Sequence, residues 1–141
     1  MSRRILAIAL AAYLLFVGWV TLNPAPPNPA RNELLLAVLQ VVPISYEALE
    51  VMANVGMFVP IGVLVTILSR HWWVALVVGI ALTCGIEFTQ QFLPARFPSV
   101  SDLVANSIGA LLGAGAIVLF RSRRRTTASR ERRTGFRATE P

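Results

Sequence analysis

Hydrophobic residues along this chain form four long stretches, which are separated by shorter polar segments. The stretches cover residues 5–22, 51–69, 72–93 and 103–120. Each is close to the length that a helix needs to cross the hydrocarbon core of a bilayer, about 17 to 25 residues. The pattern therefore predicts an all-α membrane protein, in which four transmembrane helices form a compact bundle over residues 1–120.

The first stretch has a second interpretation. Arg3 and Arg4 precede it, much as the charged region of a secretory signal precedes its apolar run. The stretch is long enough to cross a membrane, however, and no small-x-small cleavage motif follows it before Asn23. We therefore predict a span that is not cleaved.

The distribution of arginine predicts the orientation of the helices, because the chain contains no lysine. Arginines precede the first stretch, separate the second from the third and follow the fourth: Arg3, Arg4, Arg70, Arg121, Arg123, Arg124 and Arg125. The other two loops carry one arginine each, Arg31 and Arg96. By the positive-inside rule both termini are cytoplasmic. We predict a multi-pass protein of the cytoplasmic (inner) membrane.

Composition agrees with a membrane protein, since 55% of the residues are hydrophobic and 14% are charged. The net charge of +6 comes from residues 121–141, which hold eight arginines and two glutamates. This segment is predicted to be a disordered, arginine-rich cytoplasmic tail. The tail either attracts anionic lipid headgroups or serves as a flank that sets topology. No nucleic-acid partner is expected, because Phe136 is its one aromatic residue.

Three local signals predict details of the bundle. Ser45 is a suitable N-cap with Glu47 in the first turn, so the second helix should begin before its apolar part. Pro60 predicts a kink in that helix. Ala105, Gly109 and Gly113 recur every four residues, and such a stripe of small residues allows another helix to approach closely.

Four polar side chains lie within the apolar stretches or at their ends: Asn54, Glu87, Asp102 and Asn106. The predicted topology puts all four at a similar depth on the outer side of three helices. A carboxylate at the centre of a span costs about 2.5 to 3.5 kcal/mol, so it is expected to mark function. On the third helix, helical spacing gives one polar face: Thr83, Glu87, Gln90 and Gln91.

Two interpretations of this polar group remain open. The first is a network of hydrogen bonds between helices, each contributing about 0.6 to 2 kcal/mol. The second is a ligand pocket that opens in the outer leaflet. Glu87 fits the network less well, because the amides of Asn54 and Asn106 and a glutamine can satisfy one another without a carboxylate. A buried carboxylate also suits proton exchange or general acid–base chemistry, with Glu87 and Asp102 as the candidate catalytic residues.

The polar positions and their spacing resemble those of the VanZ-like family of small membrane proteins. The resemblance covers residues 54–113 and is carried by Asn54, Phe58, Pro60, Gly62, Glu87, Gln90, Arg96, Asp102, Asn106, Gly109 and Gly113. It implies a polytopic helical fold, and its founding member is associated with low-level teicoplanin resistance. It also implies binding roles for Asn54, Glu87, Gln90, Arg96, Asp102 and Asn106. Gln91 and the arginine tail are not part of the family pattern.

The sequence leaves three hypotheses for function. In the first, the polar pocket lowers susceptibility to lipoglycopeptide antibiotics, and Arg96 contacts a phosphate or carboxylate at its entrance. In the second, the protein is an intramembrane enzyme that acts on a lipid or a lipid-linked cell-envelope intermediate. In the third, it is an accessory subunit that binds a second copy or a membrane partner through the small-residue stripe. Membrane lipids are partners in every case.

No cofactor or metal is expected from the sequence. Cys84 and His71 are isolated from other ligand-type residues, and no H-E-x-x-H, P-loop or CxxC motif occurs. Acid–base chemistry would therefore depend on the carboxylates alone.

Overall fold

The structure, a computed structural model, describes residues 2–23, 45–93 and 99–137, with side chains as far as Thr126. These residues form four helices: α1 (Arg3–Thr21), α2 (Tyr46–Ser69), α3 (Trp72–Gln90) and α4 (Val100–Arg137). All four are long and apolar enough to cross a membrane, α4 over Val100–Thr126. The predicted fold class is confirmed. The orientation of the termini stays a prediction.

The second helix begins and ends as its sequence requires. The Ser45 hydroxyl accepts a hydrogen bond from the Ala48 backbone N–H at 3.2 Å, which confirms the predicted N-cap. At the other end Arg70 adopts a left-handed conformation (φ 67°), and its N–H donates to the Thr66 carbonyl at 3.0 Å. Pro60 lies inside α2, which continues to Ser69.

Two helix bounds differ from the apolar stretches. α3 ends at Gln90, whereas its apolar stretch continues to Leu93. Pro94 follows that stretch and disfavours helical geometry in Leu93, so the helix cannot easily continue to the end of the stretch. α4 begins at Val100, three residues before its apolar stretch, with the N–H groups of Asp102 and Leu103 donating to the Ser99 carbonyl.

The far end of α4 also extends beyond the apolar stretch. The helix continues to Arg137, whereas the sequence predicts a disordered tail from residue 121. The division of the chain into a membrane domain and a separate tail stays a prediction.

Glycines form the closest helix contact, between α2 and α4. A β-carbon on Gly109 would collide with the Val55 carbonyl and lie 2.9 Å from the β-carbon of Phe58. A β-carbon on Gly113 would likewise collide with the Val59 carbonyl. The predicted stripe of small residues therefore does allow a second helix to approach. We call this contact the glycine seam.

The order of these contacts shows that α2 and α4 run in the same direction. Val55 lies against Gly109 and Val59 against Gly113, so both helices advance together. The third helix joins them through Gly79, where an added β-carbon would be 2.8 Å from that of Ala110. The backbone of Ala110 also packs against Gly62 of α2. The face of α4 that carries Ala110 therefore points into the groove between α2 and α3.

Hydrogen bonds to backbone carbonyls attach α1 to the other helices. The Tyr13 hydroxyl donates to the Met57 carbonyl at 2.9 Å. The Arg3 guanidinium donates to the Leu68 carbonyl at 2.9 Å. These contacts fix α1 antiparallel to α2.

The bundle therefore has two chemically different ends. The acidic end contains the N-termini of α2 and α4 and the C-terminus of α3, with Glu47, Glu50, Glu87 and Asp102. The arginine end contains the opposite termini, with Arg3, Arg70 and Arg121.

Candidate functional site

The Glu87 carboxylate joins α3 to the start of α4. Its Oε2 atom accepts a hydrogen bond from the Ser99 backbone N–H at 2.8 Å. Ser99 directly precedes the first residue of α4, where backbone N–H groups have no partner within the helix. A negatively charged acceptor at this place also complements the positive end of the helix dipole.

A cleft of about 360 Å³ lies beside this hydrogen bond. Its walls come from the last turns of α3 and the first turn of α4: Cys84, Glu87, Phe88, Gln91, Ser99, Val100 and Leu103. One carboxylate and one amide thus face a space whose other walls include an aromatic ring and two aliphatic side chains. A molecule with both polar and apolar parts matches that combination.

The polar residues of α3 do not form the single face that spacing suggested. Thr83 is fully buried and its hydroxyl donates to the Gly79 carbonyl at 3.0 Å. Gln90 is 6% exposed, and its Nε2 donates to the Thr21 carbonyl of α1 at 2.9 Å. Glu87 and Gln91 instead line the cleft. Two polar residues therefore contribute to packing, and two contribute to the cleft.

Asn106 lies deeper in the bundle, one turn from Ala110 and on the same face of α4. The residue is 4% exposed, and its Oδ1 atom has no hydrogen-bond partner in the part of the chain that the structure describes. A buried acceptor left in this state costs about 1 to 3 kcal/mol. Such a group calls for an explanation in terms of a ligand, water or function.

Asn54 and Asp102 lie at the same end of the bundle. Asn54 is half-buried and directly precedes Val55, whose carbonyl contacts Gly109. Asn106 is three residues before Gly109, so the parallel register puts the two asparagines at a similar level. Asp102 is half-buried one turn before Asn106 and interacts electrostatically with Glu87.

The structure therefore brings four of the predicted residues to the acidic end: Asn54, Glu87, Asp102 and Asn106. Gln90 lies at this end too, but its amide donates to the Thr21 carbonyl of α1. Arg96 lies outside the described residues. The binding roles of all six residues stay predictions. Among the residues described, no group of three or more histidine, cysteine or acidic side chains could hold a metal ion.

Sequence reasoning missed Cys84, Phe88 and Ser99 as neighbours of Glu87. Helical spacing does contain a signal for the first two, because residues 84, 87, 88 and 91 share one face of α3. Polar residues considered alone gave a face that contained Thr83 and Gln90 in place of Cys84 and Phe88. Ser99 is recognised only when the start of α4 is known, since its backbone and not its side chain makes the contact.

The fold and the polar cleft define a polytopic α-helical membrane protein with a candidate binding site at one end of its bundle. A family model described as VanZ/LLP1 matches residues 10–121, which include most of α1, all of α2 and α3 and the apolar part of α4. The chain belongs to the VanZ/LLP1 family. No curated protein and no solved structure matches it significantly.

Proposed function

We propose that the cleft beside Glu87 binds an acylated molecule of the cell envelope or a lipoglycopeptide, and that this binding lowers susceptibility to teicoplanin. The observation that carries the proposal is the position of the Glu87 carboxylate, which lines an open cleft between helices. Teicoplanin resistance is the association known at the level of the family. The predicted orientation puts this cleft on the outer side of the membrane.

The lining of the cleft supports an amphipathic ligand. Glu87 accepts hydrogen bonds and Gln91 can donate or accept them, so both suit the hydroxyl and amide groups of a polar head. Phe88, Val100 and Leu103 offer an apolar surface to an acyl chain.

The single cysteine of the chain gives a direct test of binding, because Cys84 lines the cleft and is exposed. Purified protein in nanodiscs would be labelled with a maleimide fluorophore, with and without teicoplanin. We expect teicoplanin to slow the labelling of Cys84, and vancomycin, which lacks the acyl chain, to slow it less. Labelling rates that do not change at saturating teicoplanin would contradict binding at this cleft.

Susceptibility tests connect the cleft to the phenotype. A host would express the wild type, Glu87→Gln or Glu50→Gln at matched membrane levels. Glu50 is an exposed carboxylate on α2 and does not line the cleft, so its variant removes the same charge elsewhere at the acidic end. We expect Glu87→Gln alone to lose protection against teicoplanin. Full protection by Glu87→Gln would exclude the cleft as the cause of resistance.

A second function is favoured by the two carboxyl groups, Glu87 and Asp102, that lie at the acidic end of the bundle. Two interacting carboxyl groups can share acid and base roles, one donating a proton while the other accepts one. The protein would then be an intramembrane enzyme acting on a lipid-linked envelope intermediate. Turnover of a radiolabelled lipid-linked precursor by the wild type, and its loss in Glu87→Gln, would support this function over binding alone.

A further inference from the structure

The arginine end contains a second cavity, of about 410 Å³, that is chemically the opposite of the cleft beside Glu87. It is lined by Arg70, Val118, Arg121, Ser122 and Arg125. Three arginines and one serine therefore line one space. Among these lining residues, all of which the structure describes, there is no acidic side chain.

Backbone contacts hold this cavity in shape. The Arg121 guanidinium donates to the Thr66 carbonyl at 3.3 Å and to the Arg70 carbonyl at 3.5 Å. Arg70 itself ends α2 in a left-handed conformation, and its N–H donates to Thr66. Arg121 thus extends from α4 to the C-terminus of α2, with N–H donors remaining on the same side chain.

An apolar groove of about 310 Å³ adjoins the cavity and shares Val118 with it. Its other lining residues are Trp72, Leu111, Gly115 and Leu119. Gly115 keeps the groove open, since a β-carbon there would meet no atom within 4 Å. From Leu111 to Leu119 the groove follows about 12 Å of α4, at 1.5 Å per residue.

We infer that the arginine cavity and the adjoining groove form one binding site for an anionic phospholipid. The phosphate would contact the guanidinium groups, which bind phosphate with two parallel hydrogen bonds. One acyl chain would lie along the groove. Trp72 lines the groove at the start of α3 and is 52% exposed, and tryptophan is favoured at the level of the headgroups. Charge complementarity selects an anionic lipid over a zwitterionic one.

This site is separate from the cleft beside Glu87, because it lies at the opposite end of the bundle. Lipid binding can thus be tested independently of the proposed function. The test would measure binding of dioleoyl-phosphatidylglycerol and dioleoyl-phosphatidylcholine to the full-length protein by native mass spectrometry. Glycerol phosphate would be added as a competitor that carries the charged headgroup without an acyl chain.

Two variants examine the two halves of the site. Gly115→Leu fills the groove, and Gly85→Leu is its control because a β-carbon at Gly85 also meets nothing within 4 Å.

Arg125→Gln removes a charge from the arginine cavity. Arg124→Gln is its control, because the Arg124 side chain does not line the cavity and lies over the Phe120 ring at 4.4 Å. We expect Arg125→Gln to weaken phosphatidylglycerol binding about fivefold, as for the loss of one arginine near a charged surface. Gly115→Leu should also weaken it, because the acyl chain loses its place in the groove.

Three results would overturn the inference. The first is equal binding of phosphatidylglycerol and phosphatidylcholine. The second is wild-type binding by Gly115→Leu, which would show that no chain occupies the groove. The third is displacement of the lipid by glycerol phosphate at equal concentration, which would assign the arginine cavity to a soluble phosphate compound.

Discussion

The two ends of the bundle use side chains of opposite charge to bind backbone groups at helix termini. At the acidic end the Glu87 carboxylate accepts from a backbone N–H at the start of α4. At the arginine end the Arg121 guanidinium donates to carbonyls at the end of α2. The first arrangement satisfies a backbone N–H that has no partner within the helix, and both arrangements complement a helix dipole.

The difference lies in where the charges occur along the chain. Arg70 and Arg121 lie just beyond apolar stretches, where the positive-inside rule is enough to explain them. Glu87 lies within an apolar stretch, where no such rule applies. A hydrogen bond to one N–H does not require a carboxylate, because a neutral acceptor can also make it. The acidic end therefore requires a functional explanation more strongly than the arginine end.

The largest effect is expected from a substitution that damages both ends at once. Gly109→Leu would force a side chain into the Val55 carbonyl and separate α2 from α4. Overpacking costs about 1 to 3 kcal/mol, occasionally more, and here the obstacle is backbone. We expect a large loss of monodisperse protein after heating in detergent, and loss of binding at both ends.

The control for this change is Gly56→Leu on α2, where an added β-carbon would meet no atom within 4 Å. It should retain the stability of the wild type. Equal stability of the two variants would contradict the glycine seam.

A smaller effect is expected from Glu87→Ala, and it should be confined to the acidic end. The substitution removes a charged acceptor from the Ser99 N–H, a type of hydrogen bond that contributes about 1.5 to 3 kcal/mol. Glu87→Gln retains an acceptor, so it should lower the free energy of unfolding less. Reversible unfolding in mixed micelles would measure both changes. A greater loss in Glu87→Gln than in Glu87→Ala would argue against this hydrogen bond.

The matching substitution at the arginine end is Arg121→Gln. Its guanidinium is half-exposed and makes two long contacts to carbonyls, at 3.3 and 3.5 Å. A cation at a helix C-terminus contributes about 0.3 to 1 kcal/mol, less than the contact at Glu87. The same unfolding measurement should therefore rank Arg121→Gln below Glu87→Ala. The opposite ranking would show that the arginine end contributes more to stability.

The smallest change in stability is expected from Asn106→Ala. Removing an acceptor that has no partner among the described residues relieves about 1 to 3 kcal/mol of desolvation cost, which offsets the lost packing. The free energy of unfolding should change by less than about 1 kcal/mol. Reversible unfolding in mixed micelles, as for the Glu87 variants, would measure this change.

Gln90→Ala is the natural comparison, since the Gln90 amide does have a partner, the Thr21 carbonyl. It should be more destabilising than Asn106→Ala. A loss of more than about 2 kcal/mol in Asn106→Ala, above the usual worth of one hydrogen bond between membrane helices, would instead support a structural hydrogen-bond network.

The helices could be predicted from the sequence because crossing a bilayer depends directly on the length of an apolar run. The ends of the helices could not be predicted in this way, since α3 ends before its apolar run does and α4 begins three residues before its apolar part. The common position of Asn54, Glu87 and Asn106 at one end also followed from sequence, because depth depends on residue number alone.

The rotation of α3 about its axis, which decides which of its faces is buried, could not be predicted from the sequence. Thr83 and Cys84 are neighbours, yet one is fully buried and the other is exposed at the cleft. Consecutive helical residues point about 100° apart, so the rotation of the helix decides which of the two is buried. The contact between Gly79 and Ala110 helps to set this rotation, and no pattern within α3 identifies that partner on α4.

The glycine seam also constrains how the molecule is made. It joins α2 to α4, so the partner of the Val55 and Val59 carbonyls is synthesised after both α2 and α3. The tight contact can therefore form only once α4 has been made. We expect a chain that stops before α4 to lack this contact altogether.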